Sequence, residues 1–203
     1  MKALQIAKSI LDKKPDIKSS WEINKLPYYA QMLSLYVYDE PLFDDDILLW
    51  AEGPAIKEVQ SKFVETQKTL NGVDPVPDLD IKSNLIVDYT LNYFGGYLGS
   101  KLQQMTHLSG GAWYRTISMQ ENLDGKELDN FIEEEEKKFR ANKEDSIFYK
   151  EIVITHDLIK DEIKLSQYDS IRKDLDKKAI VNDNYIIDGI DSVINDVKKE
   201  FCL

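Results

Sequence analysis

Asn24-Lys25-Leu26-Pro27-Tyr28-Tyr29-Ala30-Gln31-Met32-Leu33-Ser34-Leu35-Tyr36 is the stretch that decides the fold class of this chain. Leu26, Tyr29, Leu33 and Tyr36 fall at i, i+3, i+7 and i+10, the spacing that lines one face of an α-helix. Pro27 would break such a helix in its interior, because it has no N–H to donate and its ring crowds the preceding turn. The spacing therefore predicts a helix capped at Asn24, with Pro27 in the first turn, where amides have no intrahelical partner. Trp21 then lies just outside and packs on the helix start. Tyr29 enters the core. Tyr28 is off the stripe and is expected to project from that face.

Working outward, the neighbouring segments also read as helices. Leu4, Ile6, Ala7, Ile10 and Leu11 keep helical spacing up to Lys13-Lys14-Pro15. Pro41-Leu42-Phe43 is a turn, and Asp44-Asp45-Asp46 after it reads as helix-start charge or the beginning of a short strand. Ile47 to Ala51 is too short to assign, Gly53-Pro54 marks a break, and 55–67 predicts a helix. A loop is expected over 71–80. Leu85, Ile86, Tyr89, Leu91 and Tyr93 give another helix, ended by Gly95-Gly96. Ser100 and Gln103 have the spacing of a capping box. Later, Leu128, Phe131, Ile132 and Phe139 form an amphipathic helix, and Ile163, Tyr168, Ile171 and Leu175 suggest another. Ile147-Phe148-Tyr149 and Ile152-Val153-Ile154 fit either strand or helix. Ile186, Ile190, Val193, Ile194, Val197 and Phe201 form the clearest apolar stripe. The fold expected is mainly α: a compact helical domain with at most a short β-hairpin around Leu42 to Trp50, plus a C-terminal acidic helical extension.

The chain has 203 residues and a formal net charge of −11. That size can bury about 70% of the surface of its unfolded form, so a self-sufficient core is feasible. An apolar share of 42% excludes global disorder. No apolar run approaches the roughly 18 residues needed to span a bilayer. No signal-peptide core opens the chain, and the single Cys202 suits a reducing compartment, so a cytoplasmic protein with no membrane contact is expected. Residues 1–120 carry 12 basic and 15 acidic residues together with all three Trp and all six Pro, whereas 121–203 carry 14 basic and 22 acidic. The organisation expected is a domain over 1–120 and an acidic helical extension over 121–203, packed on the first part. Glu133-Glu134-Glu135-Glu136-Lys137-Lys138 reads as a solvated helix face. A field this negative disfavours direct nucleic-acid binding and suits a basic protein partner.

Catalytic chemistry is thinly supplied. His107 and His156 stand outside any metal-ligand spacing, so no metal and no cofactor are expected. Cys202, the penultimate residue, is not placed like a nucleophile. Gly95-Gly96-Tyr97-Leu98-Gly99 lacks the flanking strand and the Lys of a phosphate loop. Aromatic residues are the more informative feature: Tyr28-Tyr29, Trp50 beside the rigid Gly53-Pro54, and Trp113-Tyr114 after a glycine pair. Tyr and Trp dominate the energetics of many interfaces, and equally they fill the cores of small domains.

These same residues resemble the Panacea domain, the SocA-like antitoxin domain. Asn24-Lys25-Leu26-Pro27-Tyr28-Tyr29-Ala30-Gln31 is similar to the family's Lys-Leu-Leu-Tyr-Tyr-Ala-Gln helix. Pro41-Leu42-Phe43, then Trp50-Ala51-Glu52-Gly53-Pro54-Ala55, resemble its Pro-Leu-Phe and Ala-Trp-x-x-Gly-Pro-Val. Leu102 to His107 ahead of Trp113 resembles its Leu-x-x-x-Thr-His and Pro-Trp ending. The sequence departs from that pattern at Pro27, Ala55 and Ala112. The resemblance covers about 1–117. It implies a helical, non-enzymatic domain, often carried on phage or mobile elements. Such a domain neutralises a protein toxin, in one relative by delivering it to a protease. The resemblance is densest, and interface-anchor residue types collect, at Tyr28, Gln31, Trp50, Glu52, Pro54, His107 and Trp113, where the partner-binding surface is expected. The competing expectation is an acidic inhibitor that imitates nucleic acid and blocks a host defence or nucleic-acid-binding protein. An enzyme using His107 with nearby carboxylates is the third.

Overall fold

The computed structural model describes residues 1–73 and 79–178 and is mainly helical with one small sheet, as the periodicity predicts. In chain order the helices are α1 (Ala3–Lys13), α2 (Ser20–Tyr38), α3 (Lys57–Glu65), α4 (Ile81–Phe94), α5 (Gly99–Thr106), α6 (Ala112–Glu121), α7 (Gly125–Ala141) and α8 (His156–Glu162). Strands β1 (Leu48–Trp50) and β2 (Gly53–Ala55) pair antiparallel, with Trp50 opposite Gly53. Met1–Leu165 form one compact unit, and a second begins at Ser166. Within the second unit, Ser166–Tyr168 make a 3-10 turn and 169–178 are helical. The stripe from Ile186 to Phe201, and Cys202, lie outside the described residues. No helix among the described residues is long and apolar enough to cross a membrane.

Helix α2 is the axis of the first unit. It packs against α1, α3, α4, α5 and α8, and every residue from Ile23 to Leu35 is buried. Its start differs from the sequence expectation. Ser19, not Asn24, is the N-cap, its hydroxyl accepting from the Trp21 amide at 3.1 Å. Pro27 therefore sits in the helix interior. An interior proline costs about 3 kcal/mol in an isolated helix, and burial of α2 on all sides offsets that here. Tyr28 does not project, because a helix surrounded by five others has no outer face at that level.

The acidic run is a helix-start charge, but for a helix earlier in the chain. The Asp45 carboxylate accepts the Ala3 amide at 2.8 Å, at the positive end of α1. The hairpin lies later than expected, across Gly53-Pro54, and α3 consequently begins at Lys57. Gly53 turns the chain at φ +87°, and a Cβ there would stand 2.6 Å from Thr106 Oγ1. Both the left-handed backbone and the close approach require glycine. The predicted capping box is not formed: Ser100 lies inside α5, whose N-cap is Leu98. Residues 152–154 run extended beside β1, with the Leu49 amide donating to the Ile152 carbonyl and the Ile154 amide to the Ile47 carbonyl, each at 2.8 Å. Ile147–Tyr149, ambiguous in the sequence, form a 3-10 turn.

A buried polar hub and the groove it supports

The polar side chains of α2 each fasten a different element. Asn24 accepts the Ile56 amide at 2.9 Å, fixing the entry to α3. Lys25 donates to the carbonyls of Glu52 and Pro54 at 2.6 and 2.7 Å, holding both flanks of the hairpin turn. Tyr28 donates to Glu162 on α8 at 2.6 Å, and Tyr29 to the Leu102 carbonyl on α5 at 3.2 Å. Gln31 clamps the Pro41-Leu42-Phe43 turn: its carbonyl oxygen accepts the Leu42 and Phe43 amides, and its amide nitrogen donates to the Phe43 carbonyl. Ser34 donates to the Glu40 carbonyl. Buried polar groups are costly unless paired, and no buried side-chain polar atom among the described residues lacks a partner. The motif Asn24 to Gln31 is thus a set of internal fasteners spaced along one helix.

Two ionisable groups in this hub are strongly perturbed. Burial pulls the Lys25 ammonium down from 10.5 to about 7, against the attraction of Glu52 and Glu162. Burial and the neighbouring Glu162 carboxylate push the Tyr28 hydroxyl well above its ordinary value. Glu162 itself accepts from both Tyr28 and the Ala112 amide, the latter at 2.8 Å, at the start of α6. Sequence reasoning missed Glu162. A lone Glu in Asp161-Glu162-Ile163 looks like helix surface, and only the fold brings it to Tyr28.

His107 and Trp113 extend the hub outward. His107 Nδ1 lies 2.9 Å from the Gln103 carbonyl and Nε2 3.1 Å from the Ala51 carbonyl, so the ring bridges α5 and the hairpin turn. Trp113 is buried; its indole N–H donates to the Trp50 carbonyl at 2.8 Å, and its ring stacks on Phe148 with centroids 5.6 Å apart. Of the seven residues expected at a partner surface, Tyr28, Gln31, Pro54 and Trp113 are buried in the described fold. Trp50 and His107 are half-buried, and Glu52 is exposed, with the Gln103 amide donating to its carboxylate. Among the described residues no three His, Cys, Asp or Glu converge on a metal position.

Trp50 and Glu52 open onto a groove of about 580 Å³. The hairpin forms one wall. Phe139, Phe148 and Tyr149 form the other, with Lys57, Lys143 and Lys150 around the rim. Phe139 and Phe148 meet edge to face at 6.4 Å. The second wall is held by Glu135, read in sequence as a solvated residue. It is buried instead: its carboxylate accepts the Ile147 amide at 2.8 Å, and the Ser146 hydroxyl donates to its carbonyl. Burial alone would raise the Glu135 carboxyl; Lys138 and the Ile147 amide outweigh it and hold it below the usual value. Glu133 and Glu136, by contrast, pair with Lys137 and Arg140 on the outside as expected. The apolar triplet Ile147-Phe148-Tyr149 was the signal for this wall, but it is too short to reveal its surroundings by period.

Residues 23–114 match the family model described as antitoxin SocA-like, Panacea domain. Comparison with curated proteins and with solved structures gave no match. The matched residues contain α2 from Ile23 onward, the hairpin, α5 and Trp113. Glu162 and the second wall of the groove lie beyond them.

Proposed function

We propose, from the match of residues 23–114 to the antitoxin SocA-like Panacea domain, that the chain is a non-enzymatic module that binds and neutralises a protein toxin. The family match carries this reading. Geometry supports it in two ways. The residue types that an active site would use are spent inside the fold: Lys25 on carbonyls, Glu162 on Tyr28 and the Ala112 amide, His107 between two carbonyls. Two aromatic side chains that remain reachable, Trp50 and Tyr149, flank an apolar groove suited to an anchor residue of a partner. The contact surface is accordingly Trp50, Glu52 and the groove, with Tyr28, Gln31, Pro54, His107 and Trp113 shaping it from beneath.

A chain of net charge −11 attracts a basic partner from a distance, and a toxin acting on nucleic acid fits that description. The resemblance extends to an adaptor role, in which the bound toxin passes to a protease in the cytoplasm. The deciding experiment is co-expression. The product of the adjacent gene is expected to arrest growth alone, to be harmless with this chain, and to co-purify with it. A neighbour that is harmless alone, or toxic in both conditions, defeats the proposal. A pulse-chase of the toxin then separates occlusion, which leaves its half-life unchanged, from delivery, which shortens it. The same net charge favours a second reading, an acidic inhibitor imitating nucleic acid. That reading requires a complex that falls apart as salt is raised, since it would rest on screened surface charge.

A further inference from the structure

The groove has a charge opposite to that of the chain around it. Lys57 is paired with Glu151 at 2.5 Å, so those two cancel. Lys143 lies over the Tyr149 ring, 5.5 Å from its centroid, and neither Lys143 nor Lys150 has an ion-pair partner among the described residues. Glu52 is the remaining charge on the rim. The floor is aromatic and aliphatic, and Tyr149 is 52% exposed. An apolar cleft with two uncompensated ammonium groups on one lip is complementary to a side chain that is bulky and apolar next to a carboxylate.

Resting on the reading that the chain binds a protein, we propose that the groove takes an extended segment of the partner in which a large apolar side chain lies beside an acidic residue. The apolar side chain enters between Trp50 and Tyr149, and the carboxylate meets Lys143 and Lys150. A polyphosphate ligand fits less well. The rim carries Glu52, which repels a multiply charged anion, and it has no Arg to grip phosphate oxygens bidentately. The acidic exterior and the basic lip then have separate tasks: the first draws in a basic partner, the second selects the segment that docks. The wall that carries Lys143, Tyr149 and Lys150 lies outside the matched family residues. Selectivity for the partner is therefore a property of this chain rather than of the shared domain.

The test needs no toxin, so its failure is distinct from failure of the neutralisation reading. A phage-displayed library of random dodecamer peptides is selected on the full chain. Enriched peptides are expected to carry an aromatic or large aliphatic residue within two or three positions of Asp or Glu. As synthetic peptides they should lose about tenfold or more in affinity for the double variant Lys143→Glu, Lys150→Glu, equivalent to about 1.4 kcal/mol. Lys126→Glu, on the first turn of α7 and away from the groove lining, should leave them unchanged. Circular dichroism must show each variant folded; should the double variant unfold, Lys143→Gln with Lys150→Gln replaces it, with loss of affinity still expected. Enriched peptides without an acidic residue, equal affinity for the wild type and the charge-altered chain, or displacement of the peptides by ATP would each overturn the proposal.

Discussion

Helix α2 and the wall from Phe139 to Lys150 use polar residues in opposite ways. Along the buried stretch of α2, from Ile23 to Leu35, the polar side chains are turned inward and satisfied: Asn24 on an amide, Lys25 on two carbonyls, Gln31 on a turn, Tyr28 on a carboxylate. On the wall, Glu135 and Ser146 are the inward anchors, while Lys143 and Lys150 stand at the rim without ion-pair partners among the described residues. The difference teaches what a motif signals here. The densest stretch of family-like sequence specifies a fold that converges on one helix, and the accessible chemistry lies on a neighbouring segment whose sequence carries no motif. Substitutions should therefore separate cleanly, with stability lost on α2 and binding lost on the wall.

The largest effect is expected from truncating the hub. Tyr28→Ala removes a fully buried ring and leaves Glu162 with one partner fewer. Loss of a buried aromatic costs about 3–5 kcal/mol, so chemical denaturation should show the variant severely destabilised or unfolded. A variant that keeps wild-type stability but no longer protects cells would erase the contrast between the two regions. Tyr28→Phe isolates the hydrogen bond. Leaving a buried carboxylate short of a donor costs about 1–3 kcal/mol, and a smaller loss in urea titrations would mean that the other groups around Glu162 satisfy it.

Lys25 sharpens the comparison through pH. Its ammonium titrates near 7 when folded and at 10.5 in its ordinary environment. Below 7 both states hold the proton and pH has no effect through this group. Between about 7 and 10.5 the unfolded chain binds more protons, so stability should rise with pH, by about 1.4 kcal/mol per unit at most. Tyr28, whose pKa is raised by burial and Glu162, opposes this only above about pH 10, where an unfolded tyrosine would ionise. Urea midpoints of the wild type relative to Lys25→Met, measured from pH 7 to 9, should climb. A flat difference would show that Lys25 is not held as an ammonium excluded from water.

The same two regions show how far the sequence could be read. Helical segments and the inward Tyr29 were legible because each is a local property of spacing; residues 74–78 of the loop expected over 71–80 lie outside the described residues. Tyr28 was misplaced because the stripe of Leu26, Tyr29, Leu33 and Tyr36 presumes a helix with a wet side. A helix packed on all faces hides its polar residues by pairing them, and pairing across 134 positions, as from Tyr28 to Glu162, leaves no trace in local period. Pro27 was assigned to a first turn for a related reason: local rules charge its full cost, while tertiary burial offsets it. Trp50 and Glu52, which the sequence marks beside Gly53, line the groove. Their opposing wall escaped notice because Phe148 and Tyr149 gain meaning only once Glu135 folds the chain after α7 back toward the hairpin.

The smallest stability effect, and the most informative about function, is expected from Tyr149→Ser. The side chain is half exposed and sits on a 3-10 turn whose anchoring comes from Glu135 and Ser146, not from the tyrosine. Surface substitutions of this kind usually stay within about 0.5 kcal/mol, so the melting temperature should be almost unchanged. Binding should respond differently. An aromatic lip on an apolar cleft is the type of residue whose truncation costs about 2 kcal/mol or more in a complex, roughly a thirtyfold loss of affinity. Protection of cells from the neighbouring toxin should weaken at matched expression, and the purified complex should dissociate faster. Lys143 also loses the ring beneath its ammonium, so part of the loss belongs to the cation–π contact. Tyr149→Phe keeps that contact and the apolar lip, and should restore binding to near the wild-type value. If Tyr149→Ser protects cells fully while remaining folded, the partner docks elsewhere and the division of labour between hub and wall fails at its functional end.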